Sequence, residues 1–286
     1  MRRSGSTLRN PRTLQRGLSY AVLIATACVL ALPIVWLVLT SLKKDTEYLA
    51  YPINILPAVP QWSNYLKVFD LAGFSSPKYA GQTLFLALTY TLLNSFTSAM
   101  AGFAFSRYQV PGRDRLFSII LAMLILPGIV ILIPQYILFA RLHLTNTYWP
   151  WILWGLTTSP LHIFMFRQFF ASFPRELEDA AEADGCGPFR IFWQIFLPNA
   201  KPVLATSFIF NFSGIWGDYF TPLIFLNDAK TTLGVKLATS FVDPQGHPFT
   251  TLTLAANVLY ALPLVLLFFL GQKYILKGVV TSGLKG

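Results

Sequence analysis

The sequence predicts an all-α membrane domain with six transmembrane helices, and three observations carry that expectation. Of the 286 residues, 54% are hydrophobic and only 12% charged, about half the charged share of an ordinary soluble domain. The charges are gathered between long uncharged runs, and a run of about 18 or more apolar residues has the length of a bilayer-spanning helix. Basic residues are dense in every second connection, as cytoplasmic loops require.

Taken in order, residues 1–17 carry Arg2, Arg3, Arg9, Arg12 and Arg16 without apolar periodicity. They read as a cytoplasmic basic arm suited to anionic headgroups, and the membrane domain is expected over 18–286. Its first span, Leu18–Leu42, is longer than a signal-peptide core. Thr40-Ser41-Leu42 then leads straight into Lys43-Lys44 without a small-residue cleavage site, so the span is read as part of the mature chain. Residues 43–79 form the longest outer segment, with Pro52, Pro57, Pro60 and Pro77. Inside it, WSNYLKVFD at 62–70 has the pattern of a short amphipathic helix, with Trp62 and Tyr65 at headgroup level.

The second span is Ala80–Ser106, followed by the short inner loop RYQVPGRDR at 107–115 with its Pro-Gly turn signal. The third, Leu116–Ala140, contains Pro127-Gly128 and Pro134. A proline-induced break is expected there, either lining a pathway or acting only as a kink. Tyr148–Phe166 is the shortest span, Pro202–Leu226 carries one acid, Asp218, and Thr251–Gln272 is the sixth. With the N-terminus inside, fifteen of the 22 Lys and Arg residues fall in inner segments, so both termini are expected to be cytoplasmic.

The net charge of +10 reads as a topology signal spread over loops rather than as a nucleic-acid surface, and no nucleic-acid partner is expected. Cys28 in the first span and Cys186 in an inner loop cannot meet in a disulfide. His143, His162 and His247 lack metal-ligand spacing, so no metal is expected, and His162 reads as a packing histidine. No GxxxxGK[ST], GxSxG or HExxH pattern is present, so no cofactor or reaction is expected on this chain.

The inner loop 167–201 concentrates the functional signal. Ser172 and Pro174 suggest a helix start, and five acids follow between 176 and 184, the first of them complementing the positive end of the helix dipole. Leu177, Ala180, Ala181 and Asp184 fall on one helical face. Gly185 reads as a left-handed terminator and Gly187-Pro188 as a break. A second helix places Phe189, Phe192, Trp193, Phe196 and Leu197 on one stripe. A small-residue face fits close docking of another protein, and a helix pair lying on the inner leaflet fits the same residues.

At this point the residues carry a resemblance. Asp179-Ala180-Ala181, Gly185 and Ile195-Phe196-Leu197-Pro198 resemble, in spacing and in position between late spans, the EAA loop of ABC importer membrane subunits, with Asp179 where that family usually has Glu. FSRYQVPGRD at 105–114, LHLTNTYWP at 142–150, IWGDYFTPLIFLND at 215–228, where Gly217 replaces the usual Asn, and the stretch from Gln272 to the closing GLKG are similar to the carbohydrate-uptake branch, in particular its second, maltose-type subunit.

The resemblance implies a permease subunit in a bacterial or archaeal inner membrane. It implies a second membrane subunit, two cytoplasmic ATP-binding subunits that hold ATP and Mg, and an extracytoplasmic solute-binding protein, which the outer loop 227–250 would meet. It further implies that Glu178, Asp179, Ala180, Ala181, Asp184 and Gly185 form the ATPase-docking helix. For the pathway, Asp218 is the leading candidate, with Trp216 and Tyr219 beside it and Asn94, Gln135 and Asn211 as further polar positions. Asp218 also fits a structural contact near the outer end of its span. An ion-gradient-driven secondary transporter and an importer of a polyol or glycerophosphate are the alternative readings.

Overall fold

The computed structural model describes residues 11–70, 76–239 and 250–283. The first ten residues of the basic arm, residues 240–249 of the outer loop with His247, and the closing residues 284–286 lie outside them. Among the described residues every regular element is helical. The chain divides into two compact units, Met1–Val68 with Val242–Leu259 and Phe69–Phe241 with Tyr260–Gly286.

In the first unit, α1 (Pro11–Ser41) is 31 residues long, which at 1.5 Å per residue exceeds the hydrocarbon thickness of a bilayer. Its apolar side chains from Leu18 to Val35 stand exposed. The last turn is closed by its own hydroxyls, Thr40 Oγ1 donating to Trp36 O at 2.6 Å and Ser41 Oγ to Val38 O at 2.8 Å. After α1 the chain folds back on itself. The Asn64 amide donates to Ser41 O and Lys43 O, and the buried Lys43 ammonium donates to Asn54 O while lying 5.3 Å from the centre of the Trp36 ring. The short α2 (Asp45–Tyr48) comes first, and the expected amphipathic helix then appears as α3 (Ser63–Asp70). Asp45 Oδ1 accepts from both the amide and the hydroxyl of Thr251, capping the start of α15 (Thr250–Gly283).

The second unit is built on α4 (Ser76–Arg107), a 32-residue helix. Pro111-Gly112 turns the chain as expected, Gly112 taking φ +83°. The expected third span is not one rod. It comprises α5 (Arg113–Ala122), a 3-10 turn at Met123–Ile125 and α6 (Gly128–Arg141), and the two arms meet at 98°. Pro127 cannot donate to the ladder and forces the preceding Leu126 to an extended ψ of 120°, which the helix cannot absorb.

The fourth expected span is likewise divided, into α7 (Trp149–Leu156) and α8 (Pro160–Ala171). The loop 167–201 therefore starts inside α8. After α9 (Glu176–Ala183), α10 (Pro188–Ile191) and α11 (Leu197–Asn199), the fifth consists of α12 (Lys201–Trp216) and α13 (Phe220–Phe225), separated at Gly217–Tyr219. The helix α14 (Leu233–Thr239) follows. Among the described residues three helices are long and apolar enough to cross a membrane, within α1, α4 and α15, and the bent pair α5–α6 adds a fourth if counted as one.

Broken helices free backbone groups that a bilayer cannot solvate, and α4 supplies the partners. Asn94 Nδ2 and Thr97 Oγ1 donate to Thr157 O at 3.0 and 2.9 Å, and Ser98 Oγ accepts from Ser159 N at 3.1 Å. The helices come this close because one partner at each crossing is a glycine, Gly155 of α7 against α4 and Gly102 of α4 against α8. A Cβ on Gly155 would lie 3.0 Å from Leu93 Cβ, and one on Gly102 only 2.4 Å from Phe166 Cβ of α8. Replacing Gly102 by Leu is predicted to force α4 and α8 apart at a cost of about 1–3 kcal/mol or more. A drop in melting temperature of the detergent-purified chain, measured beside Gly81→Leu at an open glycine, checks this.

Candidate functional site

The loop after α8 holds the first candidate surface. Its helix α9 starts one turn later than the sequence suggests, because Ser172 ends α8, its Oγ donating to Phe169 O at 2.7 Å. Arg175 instead precedes the first helical residue, and Glu176, Glu178 and Asp179 occupy the first turn. At the other end Gly185 takes φ +77°. Gly185 N donates to Glu182 O and Cys186 N to Ala181 O, both at 2.9 Å, the paired bonds of a Schellman terminus. The glycine terminator is where the spacing placed it.

The two alanines of the motif part company. Ala181 is 7% exposed and belongs to an aromatic cluster with Phe103, Phe166, Phe170, Phe192 and Phe196. Ala180 is exposed, as are Leu177, Asp179, Ala183 and Asp184, while Glu178 is half-buried. The predicted aromatic stripe divides in the same way. Phe192 and Phe196 are buried, whereas Phe189 and Trp193 are exposed and stack on each other at 6.3 Å. The expected second helix is interrupted by a π turn over Phe192–Phe196, immediately before Pro198, which lacks the N–H that would bond Gln194 O.

One residue joins these pieces. Arg107, the last residue of α4, donates from Nη2 to Phe170 O and Phe173 O at 2.9 and 2.8 Å and lies 4.7 Å from the centre of the Phe196 ring. Its Nε–H has no hydrogen-bond partner among the described residues and stands 3.7 Å from Glu178 Oε2. A single cation thus adds donors at the end of α8 and in the turn beyond it, and balances the inward acid of α9. The neighbouring Tyr108 phenol is held above its usual pKa by burial and then by the charges of Glu178 and Glu182.

The pathway candidates fall into three places. Asn94 and Asn211 are brought together: Asn211 Nδ2 donates to Asn94 Oδ1 at 3.2 Å, with His162 Nδ1 3.3 Å from the same oxygen and Ser95 and Ser207 alongside. Both asparagines are buried and spent on interhelical bonds. Trp216 is also buried. It stacks between Phe212 and Tyr260, donates from Nε1 to Tyr260 O at 3.0 Å and accepts the Tyr260 hydroxyl at its carbonyl. Tyr219 packs edge-on against Phe220.

Gln135 and Asp218, distant in sequence, line one cleft of about 420 Å³ beside Tyr90, Trp151, Trp154 and Thr157. The α5–α6 bend opens this cleft at Gly128. Asp218 sits in the break between α12 and α13, where its Oδ1 accepts from Thr221 N at 3.1 Å. Two indoles, a phenol, an amide, a hydroxyl and a carboxylate together suit a polar molecule with apolar faces.

Comparison with known proteins places this architecture. Residues 94–281 match the family model for the binding-protein-dependent transport system inner membrane component. The chain belongs to this family. It is 34% identical to the arabinooligosaccharides transport system permease protein of Bacillus subtilis, over 89% of this chain and 90% of that one. It is 30% identical to the lactose transport system permease protein of Rhizobium radiobacter, over 97% and 98%. Its fold matches a chain of a bacterial ABC transporter that imports the acidic polysaccharide alginate, with a TM-score of 0.79 at 23% identity, covering 95% and 100% of the two chains.

Within the family frame, the sequence left Arg107, Tyr90, Trp151 and Trp154 unassigned. Arg107 carried a usable signal, as the first charged residue after the uncharged run from Tyr79 to Ser106. The paired indoles at 151 and 154 carried a weaker one, since tryptophans at helical spacing also suit a core or a headgroup belt. Arg107→Ala is predicted to cost about 2–3 kcal/mol, read by denaturant titration in detergent, with Glu178→Gln costing less because the carbonyl and ring contacts remain. Gly185→Val, strained at positive φ although space is open, is predicted to cost about 1–2 kcal/mol in the same assay.

Proposed function

We propose that this chain is the membrane-spanning permease subunit of an ATP-driven importer of a sugar or oligosaccharide. It crosses the inner membrane six times, with α7–α8 and α12–α13 each counted as one broken span and both termini cytoplasmic. With a second permease subunit it forms the translocation pathway, fed from outside by a solute-binding protein that the outer loop meets. Two ATP-binding subunits supply the energy, and ATP and Mg reside on them. The names of the arabinooligosaccharide and lactose permeases support a carbohydrate as cargo.

The observation that carries the coupling role is the two-sided construction of α9. One side is fastened by Ala181 in the aromatic cluster and by Glu178 near Arg107, and the other presents Leu177, Asp179, Ala180 and Ala183. An ATPase subunit gripping the outer side therefore displaces α8 and α4 with it, because close-packed aromatic side chains transmit displacement instead of absorbing it. Gly185 ends the helix, and Asp184 stands exposed at the rim of the docking surface.

Ala180→Trp tests this directly. The substitution places bulk on the exposed face and leaves the cluster around Ala181 intact. The expected outcome is a chain that inserts and pairs with its membrane partner, but whose purified complex loses at least about tenfold of the ATPase stimulation by loaded binding protein. Ala181→Leu, in contrast, is expected to lower thermal stability first. Normal stimulation in the Ala180→Trp complex, or a wild-type chain that never co-purifies with an ATPase subunit, overturns the reading.

A further inference from the structure

We propose that the cleft lined by Gln135 and Asp218 binds an uncharged saccharide and rejects anionic ones. The inference rests on the importer reading above and deepens it to a substrate class. Among the described residues the cleft wall contains one charged side chain, the carboxylate of Asp218, and no Lys, Arg or His. Recognition of phosphate or carboxylate requires a cation or a cluster of inward-pointing amides. Here the fixed charge has the opposite sign.

The remaining polar groups match hydroxyls. The Gln135 amide makes no hydrogen bond within the described chain, nor does the Tyr90 hydroxyl, so both keep donor and acceptor capacity open to the cleft. An amide or phenol left idle among apolar side chains is costly unless something else completes it. Asp218 is fixed in place by the Thr221 amide on Oδ1. It presents an acceptor to a hydroxyl donor and repels a second anion. Trp154, held edge-to-face against Phe225 at 5.3 Å and backed by the buried Trp151, sets aromatic surface where the C–H face of a sugar ring can lie. A volume of about 420 Å³ is within the range of small-ligand pockets.

The test uses the purified complex with its membrane and ATPase partners, without binding protein, so that delivery does not impose its own selectivity. Saturation-transfer NMR is recorded with lactose, arabinobiose and diacetylchitobiose as neutral probes, and with sn-glycerol 3-phosphate and digalacturonate as anionic ones. At least one neutral disaccharide is expected to bind, with the anionic probes about tenfold weaker or worse, the equivalent of one fixed like charge in a half-buried site. Gln135→Ala is expected to weaken the neutral probe about tenfold. Asp218→Asn keeps the acceptor for Thr221 N and is expected to bring the anionic probes within about twofold of the neutral one.

Equal binding of neutral and anionic probes to the wild type overturns the proposal. So does silence of all neutral probes, or a charge preference that survives Asp218→Asn. Any of these results in a complex that retains its ATPase subunit leaves the importer reading standing, whereas a chain that recruits no ATPase subunit fails that reading first.

Discussion

A broken helix inside a bilayer must find partners for its freed backbone within the protein, and the second unit is organised around that requirement. Three of the spans the sequence leads one to expect there are interrupted, at Pro127, at Thr157–Ser159 and at Gly217–Tyr219. The interruption beside α4 is answered by three side chains of that helix, Asn94, Thr97 and Ser98. The one between α12 and α13 is answered from within by Asp218. Asn94, Thr97, Ser98 and Asp218 are thereby each tied to a backbone defect. The same breaks make room for the cleft, since α5 and α6 diverge where it opens. Stability and cavity come from one construction.

At the other end of α4, Arg107 performs a similar service with a full charge. The carbonyls at and just past the C-terminus of α8 stand beside an aromatic cluster, where the Phe170 carbonyl accepts from Phe173 N. The guanidinium donates to the carbonyls of Phe170, in α8, and Phe173, just past it, lies over Phe196 and sets its Nε 3.7 Å from Glu178. The loop after α8 is thus connected to the core helix by electrostatics as well as by packing. Ala181 is buried in the same cluster as the phenylalanines, where close packing penalises a larger side chain.

What the sequence made legible follows local chemistry. The Pro111-Gly112 turn, the amphipathic helix near Trp62, the proline break of the third span and the Gly185 terminator each depend on residues adjacent in the chain, and each is found where its residues stand. Hydropathy, by contrast, sums over a window and is blind to a break whose residues are uncharged and only mildly polar. Thr157-Thr158-Ser159-Pro160 therefore passed as the interior of one span. Ser172 misled for a related reason, since a hydroxyl can close one helix as readily as open the next. The division of Ala180 from Ala181, the burial of Trp216 and the meeting of Gln135 with Asp218 depend on contacts among helices far apart in sequence. No spacing rule contains that information.

The satisfied break at Thr157 has a mechanical consequence. A chain interruption is often a joint, free to bend because its backbone groups can exchange partners with water. Here the carbonyl of Thr157 is already held by two donors from a continuous 32-residue neighbour, and the amide of Ser159 by a third contact on the same helix. The interruption gives α7 and α8 their change of direction without giving them freedom to vary it. Fastened to α4 by these bonds, the two helices join it as one strut, and a push on either is passed to the long helix instead of being lost at the break.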